Sequence, residues 1–321
     1  RAACPRGVDL AWDAGFMTAT APRDVPIVEP TALTSLADDL AAFTVDAVDE
    51  AMGELAAAAL RRDDPVPARR CLHGRREPAA VLARLWLLGD PVTRRELDTA
   101  LARTTTAGAE QLGLVRAAGQ AADDEVLACV DLRPLEADGA TWWLTSDLAE
   151  SVVGPLPEDH VLGLGGASTT LASWTARAPV TCALDVGTGS GVQALYLARH
   201  CARVTATDVS RRALGFARFN SALNARSGGP FAGRDLDLRH GSLLEPVAGE
   251  RFELVVSNPP FVITPRGRDS VPRYEYRDGG MVGDAVVATM VRGIGDVLAP
   301  GGVGQLLGNW EHRAGEGWRD R

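Results

Sequence analysis

The chain has 321 residues, of which 46% are hydrophobic and 23% are charged, a composition typical of a globular protein long enough for two domains. No apolar run approaches the ~18 residues that a membrane span needs, so a membrane anchor is disfavoured. The five scattered cysteines form no CxxC pair, which disfavours a disulfide framework and a zinc site and favours a cytoplasmic location. The net charge of −9 argues against broad binding of nucleic acid phosphates.

The first part of the chain changes from proline-rich to helical in character. Residues 1–30 carry four prolines and little apolar periodicity, which predicts a flexible leader. Between residues 34 and 60, apolar residues recur at helical spacing and predict one long amphipathic helix.

Two further helices are predicted before the first strands. The sequence PAAVLARLWLLG predicts a helix over residues 78–88, with Gly89 as its stop. A third helix is predicted to start at Thr93, because Thr93 can cap it while Glu96 reaches back to the cap, as in a capping box.

Two strands are predicted next, over residues 125–132 and 141–146, separated by the turn-rich residues 133–140. Three helices followed by a hairpin is the element order of a winged-helix unit. Residues 31–150 are therefore predicted to form a mainly helical, winged-helix-like domain. We interpret it first as a packing or docking domain; reading of nucleic acid by the arginines at the start of the third helix is the alternative.

The remainder of the chain alternates strand and helix patterns. Residues 151–179 include the glycine-rich sequence VLGLGGAST and are predicted to connect the two domains. Beyond them, strands are predicted over residues 181–187, 203–208, 235–242, 251–258 and 301–310, with helices between them. This alternation predicts that residues 180–321 form an α/β domain with a doubly wound, mostly parallel, Rossmann-like sheet.

The sequence DVGTGSG, from Asp185 to Gly191, lies between the first strand and helix of this sheet. Its glycines permit a sharp turn and a close approach of backbone to ligand, and they have GxGxG spacing rather than the GxGxxG of dinucleotide sites. Asp208 ends the next strand about 20 residues on and suits the two hydroxyls of a ribose. Asp185 could accept from an ammonium group or organise the loop through water.

These residues resemble the class I methyltransferases that bind S-adenosylmethionine, and the resemblance spans roughly residues 180–310. It implies that the glycine loop lies along the methionine portion, that Asp208 holds the ribose and that the GSL turn at 241–243 flanks adenine. Ser242 stands where many family members place an acid. The cofactor-binding residues implied are Asp185, Gly187, Thr188, Gly189, Gly191, Asp208, Val209, Ser242, Leu243 and Asn258.

The sequence NPPF, residues 258–261, follows the fourth strand of the sheet. It matches the Asn/Asp-Pro-Pro-aromatic signature of methyltransferases that act on nitrogen in a planar group. The side-chain oxygen of Asn258 and the carbonyl of Pro259 are acceptors for an NH₂ group, Pro259 and Pro260 hold the backbone rigid, and Phe261 offers a ring face. Because the first and fourth strands of this fold are neighbours, these catalytic candidates should face the glycine loop.

The nitrogen that receives the methyl group is left open by the signature. The sequence YRDGGMVGD, residues 276–284, is similar to a segment of release-factor glutamine methyltransferases, whereas residues 241–261 resemble both those enzymes and ribosomal-RNA guanine methyltransferases. A protein glutamine amide is favoured as substrate, and a guanine or adenine amine of ribosomal or transfer RNA is the alternative. DNA or a small molecule is the remaining option. A catalytically idle cofactor-binding scaffold is the hypothesis from a different class.

Two expectations concern other parts of the chain. The family fold normally continues after the fifth strand, so we expect the C-terminal part to be incomplete or the strand near residues 302–310 to be covered by another chain, with self-association through that edge. His160, in the connecting segment, is interpreted as a solvated loop residue, with a cap on the cofactor as the alternative.

Overall fold

The computed structural model describes residues 25–137, 139–226, 229, 231–234, 236–260, 262, 284–311, 315 and 317. The helices in this part are α1 (Pro30–Leu40), α2 (Val45–Met52), α3 (Glu54–Leu60), α4 (Val66–Leu72), α5 (Pro78–Leu82), α6 (Arg94–Ala100), α7 (Thr105–Gln111), α8 (Glu150–Val153), α9 (Gly166–Trp174), α10 (Val192–Leu197), α11 (Arg211–Arg226) and α12 (Ala285–Gly293). The strands are β1 (Val92–Thr93), β2 (Val115–Ala117), β3 (Glu125–Ala128), β4 (Asp131–Ala137), β5 (Ala140–Ser146), β6 (Val180–Val186), β7 (Cys201–Asp208), β8 (Asp237–His240), β9 (Phe252–Ser257) and β10 (Leu298–Leu306). Most of the predicted leader, residues 1–24, lies outside the described residues.

The prediction of one long helix over residues 34–60 is wrong, because α1, α2 and α3 occupy this stretch with breaks between them. The Thr44 hydroxyl accepts a hydrogen bond from the Ala47 amide at 3.1 Å and so caps a new helix start. Gly53, with a φ of 80°, ends α2 and precedes α3 in a conformation that no helix interior contains. The apolar periodicity was therefore a correct sign of helix but not of continuity.

The next two predicted helices are confirmed. Helix α5 continues through a π-helical turn, Ala83–Leu87, and the chain then reverses at Gly89, whose φ is 67°. At the start of α6, the Thr93 hydroxyl accepts from the Glu96 amide at 3.2 Å, and the Glu96 carboxylate accepts from the Thr93 amide at 2.8 Å. The capping box predicted from the sequence is present.

The predicted strand over residues 125–132 is wrong as a single element. It divides into β3, which pairs with β1 and β2, and the start of β4, which pairs with β5. The turn predicted over residues 133–140 is mostly strand, since β4 continues to Ala137 with Leu132 and Leu135 buried. The winged-helix order is nevertheless present one hairpin earlier, where α5, α6 and α7 precede the hairpin of β2 and β3 in a sheet of order β1-β3-β2.

Of the two arginines at the start of α6, Arg95 is exposed and pairs with Asp123 at 3.1 Å, whereas Arg94 does not suit the nucleic-acid reading. The Arg94 side chain is buried, donates to the Gly119 carbonyl at 3.0 Å and forms an ion pair with Glu110 at 3.1 Å. Its guanidinium is engaged in holding α6 against α7 and the following loop, so we interpret it as structural.

The predicted parallel sheet is confirmed. Five strands stand in the order β10-β9-β6-β7-β8, and all four neighbouring pairs are parallel. The chain moves outward from β6 in one direction to β7 and β8, then crosses to β9 on the other side, which makes the gap between β6 and β9 the topological switch point. Among the described strands β10 pairs only with β9. No helix of the described chain is long and apolar enough to cross a bilayer.

Helix α11 joins the first domain to the sheet. Its Asn224 side chain accepts from the Trp143 amide at 3.0 Å and donates to the Trp143 carbonyl at 2.8 Å. It thereby satisfies the two backbone groups of β5 that a neighbouring strand would otherwise bond. Phe216 and Phe219 of the same helix belong to one buried cluster with Leu33 and Leu36 of α1. The α/β part and the helical part therefore share a hydrophobic core.

Candidate active site

A cavity of about 920 Å³ opens where the carboxyl ends of β6, β7 and β9 meet. Its walls include the glycine loop after β6, the end of β7 at Asp208, the turn at Ser242 and Leu243, and the start of the NPPF sequence at Asn258. The carboxyl ends of these neighbouring strands therefore place most of the candidate site residues around one cavity, as the strand order predicts.

The glycine loop has the backbone conformation that its sequence predicts. Gly187, Gly189 and Gly191 have φ values of 70°, 57° and 91°, a region that other residues adopt at a cost. A Cβ atom added at Gly187 or Gly189 would meet nothing within 4 Å, so the α-carbons of these two glycines face open space. A Cβ at Gly191 would lie 3.3 Å from Ala217, so the third glycine allows the loop to pack closely on α11.

Asp185 lies beneath the loop rather than in the cavity. Its side chain is fully buried, and one oxygen, Oδ2, accepts from the Thr188 hydroxyl at 2.6 Å and from the Ala194 amide at 3.1 Å. Burial raises the pKa of Asp185 to about 7. Asp185 is not among the described residues that line the cavity, and it organises the loop by direct hydrogen bonds.

Asp208 joins the glycine loop to the end of β7. One carboxylate oxygen accepts from the Gly189 amide at 2.8 Å and the other accepts from the Ser210 amide at 2.8 Å. Burial raises the pKa of Asp208. Each carboxylate oxygen can accept a further hydrogen bond, which suits a pair of hydroxyls in the cavity. Val209, 61% exposed, adds an apolar surface beside this carboxylate.

The turn at Ser242 and Leu243 forms another part of the wall. Leu243 has a φ of 47°, a strained conformation for a branched residue, and its carbonyl accepts a hydrogen bond from the Thr207 hydroxyl at 3.1 Å. The strand end at Thr207 thus fixes this turn beside Asp208.

Asn258 follows β9, and the glycine loop follows the neighbouring strand β6, so the two segments lie at adjacent strand ends. The Ser257 hydroxyl, one residue earlier, donates to the Val186 carbonyl at 2.8 Å and fixes the two strand ends together. The Asn258 amide donates through Nδ2 to the Ser168 hydroxyl oxygen at 3.3 Å. Its Oδ1 is buried and accepts no hydrogen bond from any described residue.

The two prolines of the signature also line the cavity. Pro259 is buried and Pro260 is partly buried at the cavity wall. Phe261 lies outside the described residues, and so do residues 276–283 of the glycine-rich segment that resembles the glutamine enzymes.

His160 and Val161 of the connecting segment belong to a buried cluster around the Asp147–Arg212 ion pair, which the sequence analysis missed. The Asp147 carboxylate accepts from the Arg212 guanidinium, at 2.6 Å for one pair of atoms, and from the Val161 amide at 2.8 Å. Burial alone would raise the pKa of Asp147, but the Arg212 and Val161 hydrogen bonds outweigh it and lower that pKa. His160 was expected to be solvated, and this is wrong, because it is 5% exposed with Nδ1 3.6 Å from the Asp147 carboxylate.

The remaining wall of the cavity is acidic. Among the described lining residues, five aspartates stand against one arginine: Asp63, Asp131, Asp147, Asp159 and Asp208 with Arg133. The Arg133 guanidinium donates to the Asp131 carboxylate at 2.8 Å, so that positive charge is already neutralised. The described part of the cavity wall therefore has an excess of negative charge.

The comparisons with known proteins agree with this geometry. Residues 164–272 match the model of the methyltransferase small domain, and residues 40–128 match a domain of unknown function (DUF7059). The release factor glutamine methyltransferase of Burkholderia pseudomallei is 37% identical over 50% of this chain and 56% of its own length. The ribosomal protein uL3 glutamine methyltransferase of Bradyrhizobium diazoefficiens is 34% identical over 47% of each chain.

The similarity is partial in extent. This chain spans about half the length of these curated relatives. Among solved structures, the ribosomal protein L11 methylase of Lactobacillus delbrueckii subsp. bulgaricus is 23% identical over 45% of this chain and 62% of that chain, with a TM-score of 0.32. The segment matched by the family model contains the glycine loop, Asp208 and Asn258. The part of the cavity wall that these residues form therefore lies in the segment similar to the methyltransferase small domain.

Proposed function

We propose that this protein transfers a methyl group from S-adenosylmethionine to the side-chain amide nitrogen of a glutamine in a protein of the translation machinery. The observation that carries the proposal is the Asn258 Oδ1 atom, a buried acceptor at the cavity with no partner among the described residues. A buried acceptor without a partner costs free energy, and an NH₂ group bound in the cavity would remove that cost. The relatives that bear glutamine methyltransferase names support the choice of nitrogen.

The cavity fits S-adenosylmethionine at two places. The open space above Gly187 and Gly189 admits a ligand against the backbone of the loop, and a side chain at either position would fill it. The Asp208 carboxylate can accept from the two ribose hydroxyls, with Val209 beside it as an apolar surface for a flat ring. When bound, S-adenosylmethionine supplies an electrophilic methyl carbon.

The protein's own part in the reaction is to hold the amide nitrogen and stabilise its developing charge. Asn258 Oδ1 and the Pro259 carbonyl oxygen accept the two N–H bonds of the substrate amide, which directs the nitrogen lone pair away from them and into the cavity. The two acceptors interact more strongly as positive charge builds on the nitrogen, and they thereby lower the barrier until a proton leaves to water. This arrangement requires no strong general base.

The charge of the cavity favours a protein substrate over RNA. Arg133 pairs with Asp131 and Arg212 with Asp147, and the remaining lining aspartates leave an excess of negative charge. That charge would repel the phosphates that accompany a base, whereas a peptide segment brings no such charge. The named activities of the relatives point in the same direction.

The test is transfer of tritium-labelled methyl from S-adenosylmethionine into an extract of cells that lack this protein. We expect the label to be released by protease and retained after ribonuclease, and mass spectrometry of the labelled peptide to place one added methylene on a glutamine side chain. Label released by ribonuclease would support the RNA alternative instead. Absence of S-adenosylmethionine binding in calorimetry would support a catalytically idle scaffold.

A variant of Asp208 tests the cofactor separately from the substrate. Asp208→Ala should weaken S-adenosylmethionine binding roughly 10- to 100-fold in calorimetry, because it removes the acceptors for the ribose and the partner of the Gly189 amide. Asp123→Ala makes the same change at an exposed carboxylate that pairs with Arg95 and does not line the cavity, so it is the control and should change the affinity little. Equal affinity of Asp208→Ala and the unaltered protein would remove Asp208 from the site.

A further inference from the structure

We propose that Ser168 is a positioning residue that holds the Asn258 amide with its oxygen toward the cavity; the proposal rests on the proposed function. An asparagine amide has an acceptor end and a donor end of nearly the same shape. Only the acceptor end can receive the N–H bonds of a substrate amide, since Nδ2 would meet the substrate donor to donor. The activity of Asn258 therefore depends on which end faces the cavity.

The contacts of Asn258 favour the productive orientation. Nδ2 donates to the Ser168 hydroxyl oxygen at 3.3 Å, and Oδ1 on the other side of the amide is buried without a described partner. The hydroxyl thus occupies the donor end and leaves the acceptor end for a ligand. This contact joins two residues that are 90 positions apart in the chain.

Ser168 is itself firmly held. It lies in the first turn of α9 and is buried at the cavity wall. The Gln193 side chain donates to the Ser168 carbonyl at 2.8 Å, and Gln193 belongs to α10, the helix that begins directly after the glycine loop. The Ser168 hydroxyl therefore has a fixed position relative to both the glycine loop and Asn258, as a positioning residue requires.

The neighbouring residue provides a matched control. Thr169 also has a hydroxyl in the first turn of α9, but it is exposed and donates only to the carbonyls of its own helix start, Gly165 and Gly166. Removing that hydroxyl should alter α9 as much as the serine change does without touching Asn258.

The first experiment measures the amide directly and needs no substrate. The chain contains only four asparagines, Asn220, Asn224, Asn258 and Asn309, so labelling asparagine side chains with ¹⁵N gives four NH₂ signals, and Asn258→Asp identifies one of them. Asn220 and Asn224, buried with bonded Nδ2 groups, are internal references for protection, and exposed Asn309 is the reference for free exchange.

We expect Ser168→Ala to speed solvent exchange of the Asn258 NH₂ about tenfold, because its only described acceptor is removed. Ser168→Thr keeps a hydroxyl and should retain protection, and Thr169→Ala should leave the signal unchanged. An Asn258 signal that is the same in Ser168→Ala and in the unaltered protein would overturn the proposal.

The second experiment asks whether Ser168 acts through Asn258. Ser168→Ala should lower kcat about tenfold with an unchanged KM for S-adenosylmethionine, and Ser168→Thr should restore most of the loss. The double variant Ser168→Ala/Asn258→Ala should be no slower than Asn258→Ala alone; multiplied losses would show an independent role for Ser168 and overturn the proposal. If the unaltered protein methylates no glutamine, the proposed function fails, and the exchange measurement still decides the role of Ser168.

Discussion

Asn258 is the residue on which the chemistry of the site depends. The hydrogen bond from the Ser257 hydroxyl to the Val186 carbonyl fixes the strand end that carries Asn258. The Asn258 Oδ1 atom is buried and has no described partner. Asn258→Ala should therefore lower kcat for glutamine methylation roughly 100- to 1,000-fold, the usual effect of removing a hydrogen-bonding group that stabilises transition-state charge. S-adenosylmethionine affinity, measured by calorimetry, should change little. Asn309→Ala, at an exposed asparagine, serves as control, and a variant of Asn258 with full kcat would contradict the proposed role.

Asp185 makes a prediction about pH and stability. Burial raises its folded-state pKa to about 7, above the ordinary value of 3.8, so the folded protein holds a proton there that the unfolded chain releases. The resulting stabilisation is fully present below about pH 4 and is lost as the pH rises through 7. Asp185→Asn keeps an oxygen for Thr188 and Ala194 but cannot ionise.

The measurement is urea unfolding of both proteins at pH 5 and pH 8. The free energy of unfolding of Asp185→Asn minus that of the unaltered chain should be larger at pH 8 than at pH 5, because only the unaltered chain loses the stabilisation. The increase should be on the order of a few kcal/mol. All other titrating groups are common to both proteins, so their difference isolates Asp185. A difference that is the same at pH 5 and pH 8 would show that Asp185 stays ionised in the folded state.

At the scale of elements, helix α11 is the joint between the strand β5 and the glycine loop. Asn220 is fully buried, accepts from the Thr145 amide at 2.8 Å, and donates to the carbonyls of Thr145 at 2.9 Å and Ser190 at 2.8 Å. Asn220→Ala would leave these backbone groups buried without partners and should cost about 2–4 kcal/mol in chemical unfolding. Ser221→Ala, at a partly exposed neighbour whose hydroxyl bonds within the helix to the Arg218 carbonyl, should cost less than about 0.5 kcal/mol. Equal costs for the two variants would mean that α11 docks by apolar packing alone.

Elements that depend on local chemistry could be predicted from the sequence, and those that depend on distant partners could not. The capping box at Thr93 and the positive φ values of the glycine loop are set by residues within one turn. The division of residues 125–132 between two sheets is different, because β5 pairs with β4 and is fixed on its other side by Asn220 and Asn224 of α11. Nothing within those eight residues signals that partner.

The same distinction applies to the candidate site. Asn258 and Asp208 stand in recognisable sequences at the ends of strands, where parallel sheets bind ligands. Ser168 and Asn258 are 90 positions apart in the chain, and Asp147 and Arg212 are 65 positions apart. Residues at such separations form no sequence motif, so neither contact could be predicted from the sequence. His160 likewise lies in a segment that reads as a loop, and it is buried beside the Asp147 carboxylate that Arg212 of α11 contacts.

At the scale of the whole molecule, the shared core makes a prediction about cooperativity. One buried cluster contains Leu33 and Leu36 of α1 together with Phe216 and Phe219 of α11, so the helical part cannot unfold without exposing these aromatic residues of the α/β part. We expect a single calorimetric transition for the full chain. A saturating excess of S-adenosylmethionine, about 100 times its Kd, should stabilise the whole chain by about 2.7 kcal/mol and move that single transition upward. Asp208→Ala, with its weakened site, is the control and should move much less. Two transitions, of which the ligand shifts only one, would show that the two parts unfold independently despite their common core.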